Sequence, residues 1–317
     1  MSAPLPRVLL DSLRLLAVLV ALIVSFSLAT DHFFSVRTFH AVADQVPALL
    51  VASVGMTFVL MIGAIDLSVG SVLALGGGIL GVALLQWDVP LPVGILAALA
   101  LTTGIGIVNA AVILRWRLPS FIVTLGMLEM ARGGAYLVTR SQTQYIGTPV
   151  ALLADASLLG LPLPFLLAML VVAAGQLVLS STVFGRYAVA VGTNEEAVRL
   201  AGVDTGRVTL GVFALAGLCT GLAAVIHTGR LAAADPNAGT GFELQAIAAV
   251  VIGGTSLMGG RGSVVGSLFG VLIIAVLDTG LAQVGAQEPV KRIVTGAVIV
   301  SAVVLDQFRH GRRWRAS

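Results

Sequence analysis

The sequence predicts an all-α fold, a polytopic membrane helix bundle of about ten transmembrane helices with both termini in the cytoplasm. The chain of 317 residues is 58% hydrophobic and only 10% charged, whereas soluble domains average about 45–50% apolar and about 25% charged residues. Apolar runs of membrane-spanning length recur along the chain, and arginines gather in alternate connections between them. Because a soluble core of this size could not bury so much apolar surface, lipid must solvate most of the chain.

The predicted transmembrane helices follow from the lengths of the apolar runs. A helix needs roughly 20 apolar residues to cross about 30 Å of hydrocarbon. The runs that approach this length are centred in residues 13–29, 45–64, 67–86, 92–113, 120–139, 163–181, 207–227, 244–259, 263–281 and 291–306. Glycine-rich turns join neighbouring runs at 64–67 and 259–263.

The first run has two interpretations, a cleaved signal peptide and a retained first span. Arg7 and Arg14 precede its apolar part, Leu15 to Ala29, as basic residues precede the apolar part of a signal peptide, but no clear small-x-small cleavage site stands before Asp31. The sequence therefore favours a span that is retained in the mature protein.

The arginine distribution predicts the orientation, because cytoplasmic loops of membrane proteins are enriched in Arg and Lys. With ten spans and a cytoplasmic N-terminus, the arginines that fall on the cytoplasmic side are Arg7, Arg14, Arg115, Arg117, Arg186, Arg199, Arg207, Arg261, Arg309, Arg312, Arg313 and Arg315. The basic residues near the outer ends are Arg37, Arg140, Arg230, Lys291 and Arg292. We expect the basic cytoplasmic tail, 307–317, to bind lipid headgroups, with docking of a partner as the alternative.

A single membrane domain is predicted for residues 1–317, since no Pro-rich linker or long charge run marks a boundary. The one cysteine, Cys219, lies in an apolar run and can form no internal disulfide. The four histidines show no paired ligand spacing, so no metal and no cofactor is predicted. The sequence has no Walker A loop, which requires a Gly-Lys-Ser/Thr step, because its only lysine is Lys291. The energy source must therefore be a partner chain or an ion gradient.

Glycines spaced four residues apart predict close packing between helices. Lipid provides no hydrophobic force between helices, so small residues that permit close backbone approach drive their association. The glycines with this spacing are Gly77 and Gly81, Gly217 and Gly221, and the series Gly262, Gly266 and Gly270. Packing accounts for all of them without a ligand.

The longest predicted cytoplasmic loop, about 184–206, carries the signals of a short helix. Asn194 can cap its N-terminus, Glu195 lies in the positively polarised first turn, and Gly202 can end it. Ala197 belongs to a face of small residues. Because a helix this short is unstable alone, we expect it to seat in another protein.

This loop resembles the cytoplasmic coupling loop of bacterial ABC-type monosaccharide permeases, the ribose/galactose/xylose/arabinose/inositol branch. That family carries a Gly, an Asn, an Ala and a Gly-Ile pair there. Gly192, Asn194, Ala197 and Gly202 match these residues, and Val203 stands in place of the Ile.

Three further segments extend the resemblance across about residues 45–306 in the same order. Gly-Ala-Ile-Asp-Leu-Ser-Val-Gly-Ser at 63–71 is similar to the family's Gly-Gly-Ile-Asp-Leu-Ser-Val-Gly-Ser. Gly-Gly-Thr-Ser-Leu-Met-Gly-Gly-Arg-Gly-Ser at 253–263 is similar to its Gly-Gly-Thr-Ser-Leu-x-Gly-Gly-x-Gly block. Leu-Pro-Ser-Phe-Ile-Val-Thr-Leu-Gly at 118–126, followed by Ala-Arg-Gly at 131–133, also fits.

The resemblance implies the permease subunit of an ATP-driven importer that moves a monosaccharide or related polyol across the bacterial inner membrane by alternating access. It implies three protein partners in the bilayer or beside it: a cytoplasmic ATP-binding subunit, a periplasmic sugar-binding protein and a second permease subunit, identical or related. No nucleic acid is implied, and the chain itself would catalyse no reaction. ATPase coupling would rest on Gly192, Asn194, Glu195, Ala197, Arg199 and Gly202.

Polar residues within the predicted spans are candidates for a substrate pathway or gate, since a charge at the bilayer centre costs about 2.5–3.5 kcal/mol on the insertion scale. The candidates are Asp66, Asn109, Glu129 and Gln245. Asp66 can cap the third helix through Ser68 or act as a gate, and the sequence favours the cap.

Two of these candidates have alternative partners within the bundle. Glu129 lies three residues before Arg132, so an ion pair is favoured over contact with substrate. Asn109 and Gln245, together with Gln176, can hydrogen-bond either sugar hydroxyls or neighbouring helices, and the sequence does not separate these roles.

An ion-coupled secondary transporter of a small polar solute is the alternative function. It would need an intramembrane acidic residue to carry the ion, and Asp66 or Glu129 could serve. A membrane enzyme is disfavoured, because the sequence shows no nucleophile–base arrangement, metal ligand set or cofactor loop.

Overall fold

The computed structural model describes residues 7–147, 150–151, 156–158, 160–298 and 300–301. Its α-helices are α1 (Arg7–Ala29), α2 (Val36–Met61), α3 (Val69–Leu85), α4 (Leu91–Trp116), α5 (Ser120–Thr139), α6 (Leu163–Ser181), α7 (Val183–Leu200), α8 (Thr205–Leu231), α9 (Phe242–Ile252) and α10 (Val264–Gln283). A further helical segment covers 288–298. The predicted tail, 307–317, lies outside the described residues, as does part of the last predicted span.

The described part of the chain is predominantly helical, which confirms the predicted all-α fold class. Seven of its helices are long and apolar enough to cross a membrane, namely α1, α2, α4, α5, α6, α8 and α10. Helices α3 and α9 are apolar but shorter, with 17 and 11 residues. The structure therefore supports a polytopic bundle, while ten spans and two cytoplasmic termini stay predictions.

Helix α2 is the central helix of the bundle. Within its most apolar window 83% of the residues are buried, against 22% in α4, α5 and α6. Its fully buried Leu50, Phe58 and Leu60 belong to one large apolar core that also contains Phe213 of α8. The exposed apolar faces of α4, α5 and α6 are suited to contact with lipid.

Glycines bring the helix axes close together, as their spacing predicted. A Cβ on Gly106 of α4 would overlap the carbonyl of Phe213, and one on Gly217 of α8 would overlap the carbonyl of Thr102. Gly270 of α10 likewise abuts the carbonyl of Ala249 in α9. Gly262 is the exception, since it lies before α10 in the loop and contacts Thr255.

Short strands join the loops at one end of the bundle. Strand β1 (Gln144–Tyr145) pairs antiparallel with β4 (Ala233–Ala234), and β2 (Ser157–Leu158) pairs with β3 (Leu161–Pro162). The strands β1 and β4 follow α5 and α8, the helices whose C-terminal ends the arginine distribution places outside. The pairing of β1 with β4 is consistent with this prediction, because paired strands must lie on the same side of the membrane.

Candidate functional site

Asp66 lies in the irregular segment between α2 and α3, and its residue is only 5% exposed. Its Oδ1 accepts hydrogen bonds from the backbone N–H of Ser68 at 2.9 Å and from the Ser68 hydroxyl at 2.6 Å. These bonds fix the backbone that leads into α3. The contact through which the sequence predicted a cap is therefore present.

Asn109 of α4 joins the same group from across the bundle. It is fully buried, and its Nδ2 donates to the Oγ of Ser68 at 3.2 Å. Asp66, Ser68 and Asn109 line one small cavity together with Thr102 and Thr220. Two of the predicted pathway residues are thus brought together.

The other two predicted pathway residues lie elsewhere. Glu129 is exposed midway along α5, and Gln245 is exposed in the first half of α9. In a single chain these side chains face outward, so the four candidates do not form one site.

The predicted ion pair between Glu129 and Arg132 is wrong: the described residues form no such bridge. Arg132 instead donates from Nη1 to the carbonyl oxygens of Pro236 at 2.6 Å and Ala238 at 2.8 Å. The guanidinium crosses to the loop before α9 because the buried carbonyls of that loop need donors. The spacing of residues along α5 could not reveal these two acceptors, because they lie in a loop that is distant in sequence.

Gln176 proves to be a structural residue of α6. Its Oε1 accepts from the backbone N–H groups of Val264 at 3.0 Å and Val265 at 3.2 Å. It therefore satisfies free donors at the N-terminus of α10. Of the two roles that the sequence left open, contact with sugar hydroxyls and contact with a neighbouring helix, the structure shows the second.

Two irregular segments meet at the start of α3. Residues 62–68 continue from α2, and residues 235–241 lead into α9. A Cβ on Gly70 would overlap both the carbonyl of Gly239 and the carboxylate of Glu243. Irregular backbone at membrane depth is tolerated only where protein buries it or where it lines a water-filled cavity. Such helix breaks are where transporters place substrate and ion sites.

Sequence reasoning missed Glu243 and its neighbours at this junction. The available signal was an acidic residue at the start of an apolar run that is too short to span a bilayer. The sequence predicts a longer span, 244–259, because the apolar run continues past the end of α9, and this continuity conceals the break in the helix.

The predicted coupling segment forms the C-terminal part of α7. The backbone leaves helical geometry at Asn194, with φ −163° and ψ 94°, and the Asn194 Oδ1 accepts from the N–H of Ala197 at 3.0 Å. Gly202 ends the segment with φ +83°. Its N–H bonds the carbonyl of Arg199, and the Val203 N–H bonds that of Val198. Both predicted ends of the short helix are therefore confirmed.

This short helix presents a mostly exposed surface. Glu195 and Ala197 are exposed, and Leu200 is 79% exposed. Glu196 and Arg199 form an ion pair across one turn, and the hydrogen bond to Glu196 raises the pKa of the Arg199 side chain. The Arg199 guanidinium therefore stays charged near neutral pH.

Gly192 lies at the base of the short helix rather than on its surface. A Cβ there would overlap the carbonyl of Met61 at the end of α2 and the backbone of Gly260. The Gly260 N–H in turn donates to the Met61 carbonyl at 2.8 Å. Three segments that the arginine distribution places in the cytoplasm thus meet in one junction. Beside it, Met258 is 86% exposed.

Within the described ranges, no group of three or more His, Cys, Asp and Glu residues could hold a metal ion. Cys219 is a buried free thiol packed beside Gly55 of α2. Neither finding assigns a reaction to this part of the chain.

Comparison with known proteins identifies relatives over nearly the whole chain. The family model described as "Branched-chain amino acid transport system / permease component" matches residues 39–303. The chain is 38% identical to the ribose import permease protein RbsC of Escherichia coli (strain K12), over 94% of both chains. It is 33% identical to the fructose import permease protein FrcC of Rhizobium meliloti, over 92% of this chain and 84% of that one.

A third relative is the L-arabinose ABC transporter permease protein AraH of Azospirillum brasilense, which is 32% identical over 96% of this chain and 90% of the relative. No solved structure matches the chain.

Proposed function

This chain belongs to the monosaccharide branch of the ABC permease family, and we propose that it is the membrane-spanning subunit of an ATP-driven importer for a monosaccharide or related polyol. Relatives that import ribose, fructose and arabinose align with it almost from end to end. It is a transport subunit and carries out no covalent chemistry of its own. Its cargo passes by alternating access in the bacterial inner membrane.

The observation that carries this proposal is the construction of the coupling segment, 194–202. The segment is capped at both ends, exposes its first turn and its last residues, and stands on the junction of Gly192, Met61 and Gly260. Such an element can transmit the movement of a cytoplasmic ATPase to α2 as a rigid body. Glu195, Ala197 and Arg199 would contact the ATPase, while Gly192 would hold the segment against α2.

A second permease subunit is proposed to cover the exposed face of α5. Glu129 lies on this face midway along the helix, where contact with lipid would cost about 2.5–3.5 kcal/mol. Gly126 and Gly133 lie on the same helix and have open space around them. A partner subunit and a water-filled pathway between the two copies would give Glu129 a polar environment, and a periplasmic sugar-binding protein would deliver the cargo to that pathway.

Affinity purification tests the partnership. The tagged chain is extracted gently from its native membranes, and the companion proteins and their ATPase activity are measured. We expect the wild-type chain to retain an ATP-hydrolysing subunit and the Glu195→Arg variant to lose it, because reversal of the charge places a cation at the positively polarised start of the short helix.

The control is Gln142→Arg, which adds one positive charge, against two for Glu195→Arg, to an exposed loop that we place on the opposite side. It should retain the ATPase and insert as the wild type does. Normal retention of the ATPase by Glu195→Arg would contradict the coupling role. A chain that purifies alone and transports without ATP would favour an ion-coupled transporter instead.

A further inference from the structure

A cavity with room for about one water molecule lies at the start of α3, where α4 and α8 face it. The polar residues in its wall are Asp66, Ser68, Thr102, Asn109 and Thr220, and all of them are buried. The cavity is separate from the exposed coupling segment, and nothing in the proposed transport function requires it.

The hydroxyl protons in this wall are already used within the protein. Ser68 donates to Asp66 Oδ1 at 2.6 Å, Thr102 Oγ1 donates to the Ala98 carbonyl at 3.1 Å, and Thr220 Oγ1 donates to the Ala216 carbonyl at 2.8 Å. Their oxygens therefore offer only lone pairs to the cavity.

Asn109 adds a further acceptor. Because the Ser68 proton points at Asp66, the Ser68 oxygen must accept from the amide NH₂ of Asn109, which fixes the orientation of that amide. The Asn109 Oδ1 is buried and has no hydrogen-bond partner. Burying an acceptor without a hydrogen-bond partner costs about 1–3 kcal/mol of folding free energy. The unpaired Asn109 Oδ1 therefore indicates a donor or cation that the chain itself does not supply.

Asp66 places a carboxyl group beside this acceptor. Among the described residues no Arg, Lys or His forms an ion pair with it, and its Oδ2 makes no hydrogen bond. An unpaired carboxylate is costly to bury, and the bonds from Ser68 supply only part of the compensation. The wall therefore combines one carboxyl group with several oxygen acceptors, and among its side chains only the second amide N–H of Asn109 remains as a donor.

We propose that this cavity binds one small monovalent cation, of which sodium is the best fit. The Asp66 carboxylate balances its charge, and the Asn109 Oδ1 and the lone pairs of Thr102 and Thr220 supply the other oxygen ligands. One carboxylate matches one unit of charge, and unwound segments between half-helices are where transporters coordinate sodium. The ion acts as a fixed ligand that joins the break between α2 and α3 to α4 and α8.

Thermal unfolding of the purified full-length chain in lipid nanodiscs tests the site. The midpoint is measured in sodium, potassium and choline chloride at one pH and one ionic strength. Saturating sodium should raise the midpoint by about 5 °C over choline, because a ligand that binds only the folded state stabilises it. The Asp66→Asn variant should lose this difference, since it removes the charge and keeps the shape of the side chain.

The matched control is Asp278→Asn, which removes a half-buried carboxylate of α10 that is not in the cavity wall. It should keep the sodium response. Direct binding of radioactive sodium to the wild-type chain provides a readout that does not depend on the folding of any variant. Equal midpoints in sodium and choline without radioactive sodium bound, or a sodium response that persists in Asp66→Asn, would overturn the proposal. In that case a proton on Asp66 balances the charge and water fills the cavity.

Discussion

At the scale of single residues, Asp66 and Glu129 show how differently two carboxylates can be accommodated in one apolar chain. Asp66 is buried and accepts two hydrogen bonds from Ser68. Glu129 is exposed on α5, and Arg132, the nearest basic residue in sequence, bonds the loop before α9 instead. The first carboxyl group therefore has hydrogen-bond partners within the chain, whereas the second needs a polar partner outside the single chain.

This difference leads to a prediction for Glu129. The Glu129→Leu variant should insert and fold normally but take up labelled monosaccharides about tenfold more slowly, an effect of about 1.4 kcal/mol. The physical reason is that the carboxylate faces the proposed pathway between two copies. Uptake into whole cells or vesicles, normalised to the amount of inserted protein, measures the effect.

Glu129→Gln is the conservative counterpart, because it keeps the hydrogen-bonding shape and removes only the charge. It should retain more uptake than Glu129→Leu. If the leucine variant were more stable and transported at the wild-type rate, Glu129 would face lipid and the pathway assignment would be incorrect.

At the scale of elements, close contact between helices positions the site. Helix α4 carries Asn109 and Thr102 into the cavity wall, and α8 carries Thr220. The two helices can approach because Gly106 and Gly217 replace side chains at their crossing. The cavity is therefore small because two glycines allow its walls to approach each other.

A pair of glycine substitutions on α4 tests this packing. Gly106→Ala should destabilise the protein by roughly 1–3 kcal/mol, because the added methyl group overlaps the Phe213 carbonyl and forces the helices apart. Gly104→Ala, two residues away, has no atom within 4 Å of the new Cβ. It should leave stability unchanged or raise it by up to about 1 kcal/mol through higher helix propensity.

Thermal unfolding of both variants in the same detergent provides the measurement. Equal effects of the two substitutions would mean that the contact between α4 and α8 does not limit stability.

At the scale of the whole molecule, two groups of contacts between loops fall on the sides that the arginine distribution predicts. The end of α2, the region around Gly192 and the loop at Gly260 meet in one junction. At the other end, β1 pairs with β4. The arginine distribution assigns the first group to the cytoplasm and the second to the outside, so both sources of information give the same division.

Cysteine labelling tests the orientation. In a Cys219→Ala background, which removes the only native thiol, Leu200→Cys and Tyr145→Cys place single thiols at exposed positions. A membrane-impermeant maleimide should label Tyr145→Cys in intact spheroplasts and Leu200→Cys only in inside-out vesicles. The cysteine-free background controls for non-specific reaction. Labelling of both positions from the same side would contradict the predicted alternation of spans.

The sequence alone determined the membrane environment, the positions of the long helices and both ends of the short helix that begins after Asn194. These features follow from local rules, because apolar run length, capping by Asn194 and the positive φ of Gly202 need no distant partner. The family could also be identified at this level, since its motifs are contiguous segments.

Only the tertiary structure decided which polar residues share a site. Asn109 bonds Ser68, the partner of Asp66, across 41 positions of sequence. Gln176 caps α10, and Arg132 bonds the loop at Pro236 instead of Glu129. The broken helices also appeared only there, because α9 and the loop after it form one continuous apolar run in the sequence. A buried polar group bonds whichever partner the fold brings within about 3 Å, and separation along the chain does not reveal that partner.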